Sequence, residues 1–294
     1  MATSRAICVS QDPGVRRAVA TALASAGLVV EHRDTLPTPA GDGDANAAVI
    51  VIDRATRQLA GEALAALGAP VIIVGDSLDD DGLITLMLES PVSHLVGDLA
   101  ADRDLEITSE KLVSGDVFGL EKYLGPCKVA ERVVCDDHEK RLAMGEVCAW
   151  AEAIGTRRPI VHRLASVVDE LLMNALHDAP VVCSQPSPQR AMLRWASDDH
   201  TLAVSVGDGF GALRQRDVLD NLRRARSERG RPRMDEKAGA GLGLYLVLAN
   251  VASLIVNVSP GERTEVVCLF DRAGAGRRAV TRSVRSLHVF EAAS

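Results

Sequence analysis

Gly239-Ala240-Gly241-Leu242-Gly243-Leu244 leads directly into a run of apolar residues at helical spacing. One face of this predicted helix carries Leu242, Tyr245, Leu246, Ala249 and Ala252. Free backbone amides and the positive end of the helix dipole make such a helix start a binding site for anions and phosphates. The motif does not follow a strand within a β-α-β unit, which counts against a dinucleotide-binding fingerprint. The stretch therefore predicts a helix whose first turn binds phosphate.

A second polar motif lies upstream, on a predicted helix that Pro159 opens. Glu170, Asn174 and Asp178 are spaced four apart and therefore lie on one helical face, with His177 beside them. Carboxylate and amide oxygens are ligands that magnesium prefers. A polar stripe on a helix is also typical of a solvated face, so this motif alone does not decide between the two interpretations.

A predicted β-hairpin separates these two motifs. Apolar residues alternate over 191–195 and again over 202–206, with a turn at Asp198-Asp199. The second strand runs into Gly207-Asp208-Gly209-Phe210-Gly211. A planar ligand can approach a carboxylate closely when glycines surround it. In its ionised form that carboxylate accepts a hydrogen bond from an exocyclic amine such as that of adenine.

In this order and at these spacings, the three motifs resemble those of the ATP-binding domain of the GHKL superfamily, which includes histidine kinases and anti-sigma-factor serine kinases. The resemblance covers about residues 131–271. It includes the turn Gly261-Glu262-Arg263-Thr264 before the last predicted strand. It implies an α/β two-layer sandwich of the GHKL (Bergerat) type, and it implies that the domain binds ATP together with Mg2+.

The resemblance also assigns roles to individual residues. Asn174 would hold the magnesium ion, Asp208 would recognise the adenine amino group, and Asp178 or His177 would line the edge of the nucleotide. Glu170 would be the catalytic residue that orients or activates water or an acceptor hydroxyl. The residues implied in binding the nucleotide are Asn174, Asp178, Asp208, Gly209, Gly211, Gly239, Gly241, Leu242, Gly243 and Thr264.

Three features of this half depart from the family pattern or leave alternatives open. The family's second motif is usually Asp-x-Gly-x-Gly, whereas Phe210 stands where a glycine is expected, and it either packs on the base or fills core. The segment between Asp208 and Gly239, where the family has its lid, is rich in arginine. These side chains either clamp a γ-phosphate or belong to a solvated helix and loop. His138 is too close before Asn174 for a phosphorylatable helical hairpin, so we expect it to be a surface residue.

The N-terminal part alternates strand and helix patterns. The strand patterns occupy residues 6–9, 28–30, 48–52, 71–74 and 94–96. The third of them is apolar enough to be buried on both faces. Five strands separated by helices predict a doubly wound parallel five-stranded sheet, with any active site at the carboxyl ends of the strands.

Residues 5 to about 112 resemble a bacterial response-regulator receiver domain, with Asp53 at the end of the third strand, where the family has its phosphorylated aspartate. The family's acidic pair falls on Ser10-Gln11, and its hydroxyl residue and lysine fall on Gly75 and Gly97. Phosphorylation of a carboxylate needs a divalent cation and a cation that holds the product. We therefore expect a pseudo-receiver in which Asp53 is a structural or cleft residue, with a phospho-acceptor role as the alternative. Such a module serves as a protein-interaction or dimerisation surface.

The chain has 294 residues, of which 47% are hydrophobic and 25% charged, a balance typical of a globular protein of about two domains. No apolar run is long enough to span a bilayer, so we expect no membrane insertion. The formal net charge is −7, and neither half is basic enough to predict nucleic-acid binding. The six cysteines form no Cys-x-x-Cys pair, which favours free thiols in a reducing cytoplasm.

These observations predict a pseudo-receiver domain (1–112), a linker (113–130), a GHKL-type ATP-binding domain (131–271) and a basic C-terminal tail (272–294) that forms a surface extension or partner contact. The predicted function is that of a cytoplasmic bacterial signalling protein that binds Mg-ATP and regulates another signalling protein. Homodimerisation through the receiver-like domain is part of this hypothesis. An anti-sigma-type protein serine kinase or slow ATPase is the first alternative, and a nucleotide-free scaffold is the second.

Overall fold

The computed structural model describes residues 4–37, 47–56, 64, 67–75, 92–97, 99, 103–180, 190–214, 217–218, 220, 239–272 and 286–292, with the backbone alone for 239–242. Its strands are β1 (Arg5–Val9), β2 (Val29–Arg33), β3 (Ala47–Asp53), β4 (Val71–Val74), β5 (His94–Val96), β6 (Ala130–Val134), β7 (Ala191–Ser197), β8 (Thr201–Asp208), β9 (Ser253–Ser259), β10 (Arg263–Asp271) and β11 (Ser286–Glu291). Its α-helices are α1 (Pro13–Ser25), α2 (Asp104–Ser114), α3 (Asp137–Ala153), α4 (Arg158–Met173) and α5 (Gly239–Leu248). A 3-10 helix covers Leu120–Tyr123, and a π turn covers Asn174–Asp178. Among these residues, no helix is long and apolar enough to cross a membrane.

All of these strands join one 11-stranded mixed sheet in the order β2-β1-β3-β4-β5-β11-β9-β10-β8-β7-β6. The first five strands pair in parallel, in an order known from doubly wound sheets. The strands from β6 to β10 pair in antiparallel fashion. The predicted α/β class is therefore confirmed, and the two predicted modules share one sheet.

The first helix shows how local sequence builds the N-terminal half. Asp12 caps α1, because its Oδ1 accepts hydrogen bonds from the backbone N–H of Gly14 at 2.6 Å and of Val15 at 3.2 Å. Val19 and Leu23 lie one helical turn apart and are fully buried against the sheet. The side chains of β3 are buried on both faces apart from one partly exposed position, as the unbroken apolar pattern predicts.

In the C-terminal half, opposite faces of the sheet are covered by different parts of the chain. Leu202 and Val204 of β8 belong to the same core as the apolar face of α4. Ala203, between them, points to the other face, where Leu120 and Leu124 of the predicted linker pack over it. The predicted linker is therefore packed against one face of the sheet.

The C-terminal tail differs from its prediction as a surface extension. Its described residues form β11, which pairs in antiparallel fashion with β5 and in parallel with β9. Leu287, Val289 and Phe290 are each at most 2% exposed, because the strand fills the gap between the two halves of the sheet. The residues that gave the tail its basic character lie outside the described residues: Arg277, Arg278, Arg282 and Arg285.

A buried hydrogen-bonded network crosses the junction between the halves. Lys111 of α2, only 1% exposed, donates through Nζ to Asn257 Oδ1 of β9 at 2.9 Å and to the Tyr123 hydroxyl at 2.7 Å. The Asn257 amide donates to Glu265 Oε2 of β10 at 3.1 Å, and this oxygen also accepts from the backbone N–H of Gly119 at 2.8 Å. The network therefore connects α2, the linker, β9 and β10.

The strand β11 adds a second buried cluster beside this network. His288 Nε2 lies 3.2 Å from Asp104 Oδ2, and the Phe290 ring lies 4.4 Å from the His94 ring, measured between centroids. Lys111 Nζ lies 3.9 Å from the centroid of the Phe290 ring, within cation–π range. Burial, together with the neighbouring His288 and Lys111, lowers the pKa of His94 well below its usual range.

Lys111 is expected to make stability depend on pH. Burial lowers the pKa of its ammonium from 10.5 to about 7, so between these two values the unfolded chain holds more protons than the folded one. The free energy of unfolding should therefore rise with pH between about 7 and 10.5, whereas below about 7 the cost of burying the Lys111 ammonium is present in full and does not change with pH. Chemical unfolding from pH 6 to pH 9 should show a flatter pH dependence for Lys111→Met than for wild type. The exposed Lys128→Met is the control that retains the wild-type slope, and equal slopes in all three proteins would contradict the prediction.

Candidate functional site

The structure brings Glu170 and Gly243 together, although they come from different sequence motifs. Glu170 lies in the last turn of α4, which packs against α5. A Cβ built on Gly243 would overlap the Glu170 carboxylate. The carboxylate therefore rests on the helix backbone in the space that a side chain at position 243 would occupy.

The surroundings of Glu170 disfavour its ionised form. Burial is the largest cause that raises the pKa of this carboxyl, and the charges of Asp169 and Asp178 raise it further. Lys140 of α3 has the opposite effect on the pKa of Glu170. Glu170 is therefore a carboxyl group whose pKa is moved towards the range useful for proton transfer.

Lys140 was not singled out from the sequence. Its Nζ lies 2.7 Å from Asp169 Oδ1, and its side chain is 10% exposed. The helical spacing of the sequence does indicate its burial, because Lys140 lies on the inward face of α3 together with Ala143, Val147 and Ala151. A lysine among inward-facing apolar positions must find a partner, and here that partner is the neighbour of Glu170.

The backbone after α4 changes from α to π geometry over Asn174–Asp178, and the N–H of Ala179 donates to the Asn174 carbonyl. Turns of this kind are wider than an α-turn and occur frequently at functional sites. Asn174 is half-buried and Asp178 is exposed. Because a π turn has more residues per turn than an α-helix, Asp178 does not lie in line with Glu170 and Asn174 as the α-helical spacing predicts. His177 Nε2 lies 3.2 Å from Asp137 Oδ1 of α3, in an exposed contact.

Asp208 ends β8, with Thr264 opposite it on β10. Its Oδ1 accepts a hydrogen bond from the backbone N–H of Phe210 at 2.9 Å. Burial raises the pKa of Asp208, while hydrogen bonding from Phe210, Gly211 and Thr264 acts in the opposite direction. Phe210 is buried, as the core-filling alternative for this side chain requires.

Gly211 fixes the loop after Asp208 onto the β9–β10 turn. Its φ of +57° is a left-handed conformation, and its carbonyl accepts a hydrogen bond from the Gly261 N–H at 3.1 Å. A Cβ at this position would overlap backbone atoms of the turn, including the Ser259 carbonyl, and these atoms cannot move cheaply.

The variant Gly211→Ala is expected to destabilise the protein by about 3 kcal/mol, because it combines backbone strain with overpacking against backbone atoms. The matched variant Gly209→Ala places its methyl group where no atom lies within 4 Å, and we expect a change within about 0.5 kcal/mol. Urea unfolding of both variants tests this pair. Equal midpoints would show that the loop does not need glycine at 211.

The remaining predicted nucleotide residues can be placed only by their backbone. Gly239, Gly241 and Leu242 lie in the first turns of α5, directly before Gly243. The arginines considered for a lid lie outside the described residues, except Arg214: Arg216, Arg223, Arg224, Arg226, Arg229, Arg231 and Arg233.

Asp53 at the end of β3 is already hydrogen-bonded through both carboxylate oxygens. The Ser10 hydroxyl donates to Oδ2, and the backbone N–H of Thr56 donates to Oδ1 at 2.6 Å. Burial alone would raise the pKa of Asp53, but these hydrogen bonds outweigh it and lower that pKa. Ser10, which occupies a position of the family's acidic pair, thus acts as a donor to Asp53, which is consistent with the expected structural role of Asp53.

Comparisons with known proteins do not assign this chain to a family. No family model and no curated protein matches the chain, whereas 20 chains of solved structures match it. One comes from the crystal structure of the SiaB-SiaC complex from Pseudomonas aeruginosa, with 13% identity and a TM-score of 0.35, covering 49% of this chain and 88% of the matched one. Another is a GCN5-related glucosamine N-acetyltransferase region of a fungal multi-domain GH3 beta-N-acetylglucosaminidase, with 9% identity and a TM-score of 0.26, covering 71% of this chain and 24% of the matched one. At such TM-scores, neither likeness assigns a fold family, an activity or a partner to this chain.

Proposed function

We propose that residues 131–271 form a GHKL-type domain that binds Mg-ATP where α4 meets the start of α5. Residues 1–112 form a receiver-like domain that acts as an interaction surface without being phosphorylated. The protein regulates a partner signalling protein in the cytoplasm, and nucleotide binding changes its affinity for that partner.

One observation carries this proposal. The carboxylate of Glu170 rests on the backbone of Gly243, so the end of the helix that carries Glu170 lies against the glycine-rich start of α5. Helix packing alone brings distant segments together, so the support for the proposal lies in the residue types that meet here. A carboxylate lies beside a glycine-rich helix start, whose free backbone amides are suited to phosphate binding.

The residues present suit the chemistry of the nucleotide. The backbone amides of the first turn of α5 would bind the phosphates, and the Asn174 amide oxygen would hold magnesium. Asp208, with its neighbour Gly209 open to approach, would accept a hydrogen bond from the adenine amino group. Magnesium would supply charge neutralisation at the phosphates.

The raised pKa of Glu170 favours the kinase or ATPase alternative as a second candidate. A carboxylate whose pKa is raised is a better proton acceptor. In this reaction, an attacking hydroxyl of water or of a partner's serine would lose its proton to Glu170. The oxygen would form a bond to the γ-phosphorus while the bond to the ADP oxygen breaks.

Calorimetric titration with ATP tests the binding proposal directly. Wild-type protein is expected to bind ATP in the presence of magnesium, and both removal of magnesium and Asn174→Ala are expected to weaken binding by about tenfold or more. Asn250→Ala, at the opposite end of α5, is the control that retains binding. Absence of binding by the wild type at about 1 mM ATP would overturn the proposal and leave the nucleotide-free scaffold.

A further inference from the structure

The two halves of the sheet meet in a short ladder between β5 and β11. Residues 286–288 pair there with residues 94–96, whereas β11 pairs with β9 over six residues. One further hydrogen bond crosses this β5–β11 junction, from the backbone N–H of Val289 to the Ser93 carbonyl at 2.8 Å. Because the junction holds fewer paired residues than the ladder with β9, it can open while β11 stays attached to β9.

Two buried histidines stand directly opposite each other in this junction. His288 is the register partner of His94, and the centroids of their rings lie 5.7 Å apart. The two residues are 0% and 4% exposed, respectively. Like charges on directly opposite residues destabilise an antiparallel pair of strands. A positive charge on both rings would therefore act against the ladder that joins the two halves.

The closed junction offers no acceptor for a proton on His94 Nδ1. This atom is buried and has no hydrogen-bond partner among the described residues. The carboxylate of the cluster, Asp104, lies 3.2 Å from His288 Nε2 through Oδ2, and its Oδ1 is also buried without a partner, so it does not accept from His94. Burial, His288 and Lys111 together lower the pKa of His94 well below its usual range.

The other elements around His94 do not supply an anion for it. On β4 its register partner is the apolar Ile72. The helix α2 packs against β5 and brings Lys111 to the cluster, where its Nζ donates to the Tyr123 hydroxyl of the 3-10 helix. Glu265 of β10 belongs to the buried network of Lys111. A proton on His94 would thus add a positive charge near a lysine.

We propose that the β5–β11 junction is an acid-sensitive contact between the two halves: on mild acidification His94 takes up a proton, the three-residue ladder opens, and β11 remains paired with β9. In the open state His94 meets water and recovers an ordinary pKa of about 6.5. The open state therefore binds more protons than the closed one below that pH, so the closed ladder loses stability as the pH falls from about 6.5. Mild acid would in this way release the receiver-like half from its sheet contact with β11, whether or not the protein binds ATP.

Amide hydrogen exchange measured by NMR in the full-length protein tests this inference. The Val289 amide reports on the junction, because it donates to the Ser93 carbonyl across it. The amides of β10, which is paired on both sides, are the internal reference. After correction for the intrinsic exchange rate, the protection of Val289 is expected to fall by about tenfold between pH 7.5 and pH 5.5, as uptake of one proton requires, while protection in β10 stays constant.

The variant His94→Phe should retain the protection of Val289 at pH 5.5, since its ring cannot take up a proton. His138→Phe makes the same change at an exposed histidine and should lose protection as the wild type does. Equal protection of Val289 at both pH values, an equal loss in β10, or the same loss in His94→Phe would overturn the inference. If His94→Phe does not fold, Lys111→Met decides: it should lower the pH at which Val289 loses protection, and an unchanged pH would overturn the inference as well.

Discussion

A chain that ends at residue 285 is expected to lose cooperative folding. Its missing strand, β11, buries Leu287, Val289 and Phe290, and each such side chain contributes about 1.5–3 kcal/mol. Together they approach the net stability of a typical domain, about 5–15 kcal/mol. The deletion also leaves β5 and β9 with unpaired edges, which favour aggregation. Thermal unfolding and gel filtration of the truncated protein should show a broad or absent transition and large species.

Point variants within β11 keep this prediction testable if the truncated chain is not recovered. Phe290→Ala is expected to lower the free energy of unfolding by about 3–5 kcal/mol, because it opens a cavity beside His94 and removes the ring that lies next to Lys111. Glu291→Ala, at an exposed position of the same strand, is the matched control, with an expected change within about 0.5 kcal/mol. A truncated protein with the wild-type melting temperature would contradict this prediction and would support the surface extension that the sequence predicts.

Much of the fold could be predicted because its signals are local. The unbroken apolar run of β3 and the Asp198-Asp199 turn between β7 and β8 depend on neighbouring residues alone. β11 gives a weaker signal, because its six residues follow an arginine-rich segment and alternate only partly. Its partners, β5 and β9, lie far away in the sequence, and burial between them is visible only in the sheet. The prediction of a surface extension therefore followed the basic charge of the tail, and the apolar residues at its end did not change it.

For the candidate site, residue types could be predicted but not their environment. The spacing of Glu170 and Asn174 indicates a shared helical face, but no residue pattern predicts that the helix changes to π geometry over Asn174–Asp178. Lys140 was missed for a related reason: a lysine in a helix is usually solvated, and only the packing of α3 on α4 shows that it is buried. The network around Lys111 joins residues whose proximity depends on how the halves meet.

The second large effect is expected at Gly243. Replacing a mid-helix glycine by alanine normally stabilises a helix by about 1 kcal/mol. At Gly243 the added methyl group would occupy the position of the Glu170 carboxylate, which is the end of a flexible side chain and can move. We therefore expect Gly243→Ala to leave the melting temperature nearly unchanged while lowering Mg-ATP affinity by about tenfold, since the displaced carboxylate is pushed towards the phosphates. Gly145→Ala in α3, where no atom beyond the surrounding helix backbone lies within 4 Å of the new methyl group, should stabilise the protein and leave ATP binding intact.

A double-mutant cycle separates this mechanism from a general effect on the helix. In a Glu170→Ala background the space beside Gly243 is empty, so Gly243→Ala should recover the ordinary helical stabilisation of about 1 kcal/mol. The difference between the two backgrounds measures the contact between the two motifs, and it does so in unfolding experiments that need no nucleotide. Additive effects would mean that Glu170 and Gly243 do not touch in solution. The proximity that carries the proposed function would then be lost, whatever the affinity of the protein for ATP.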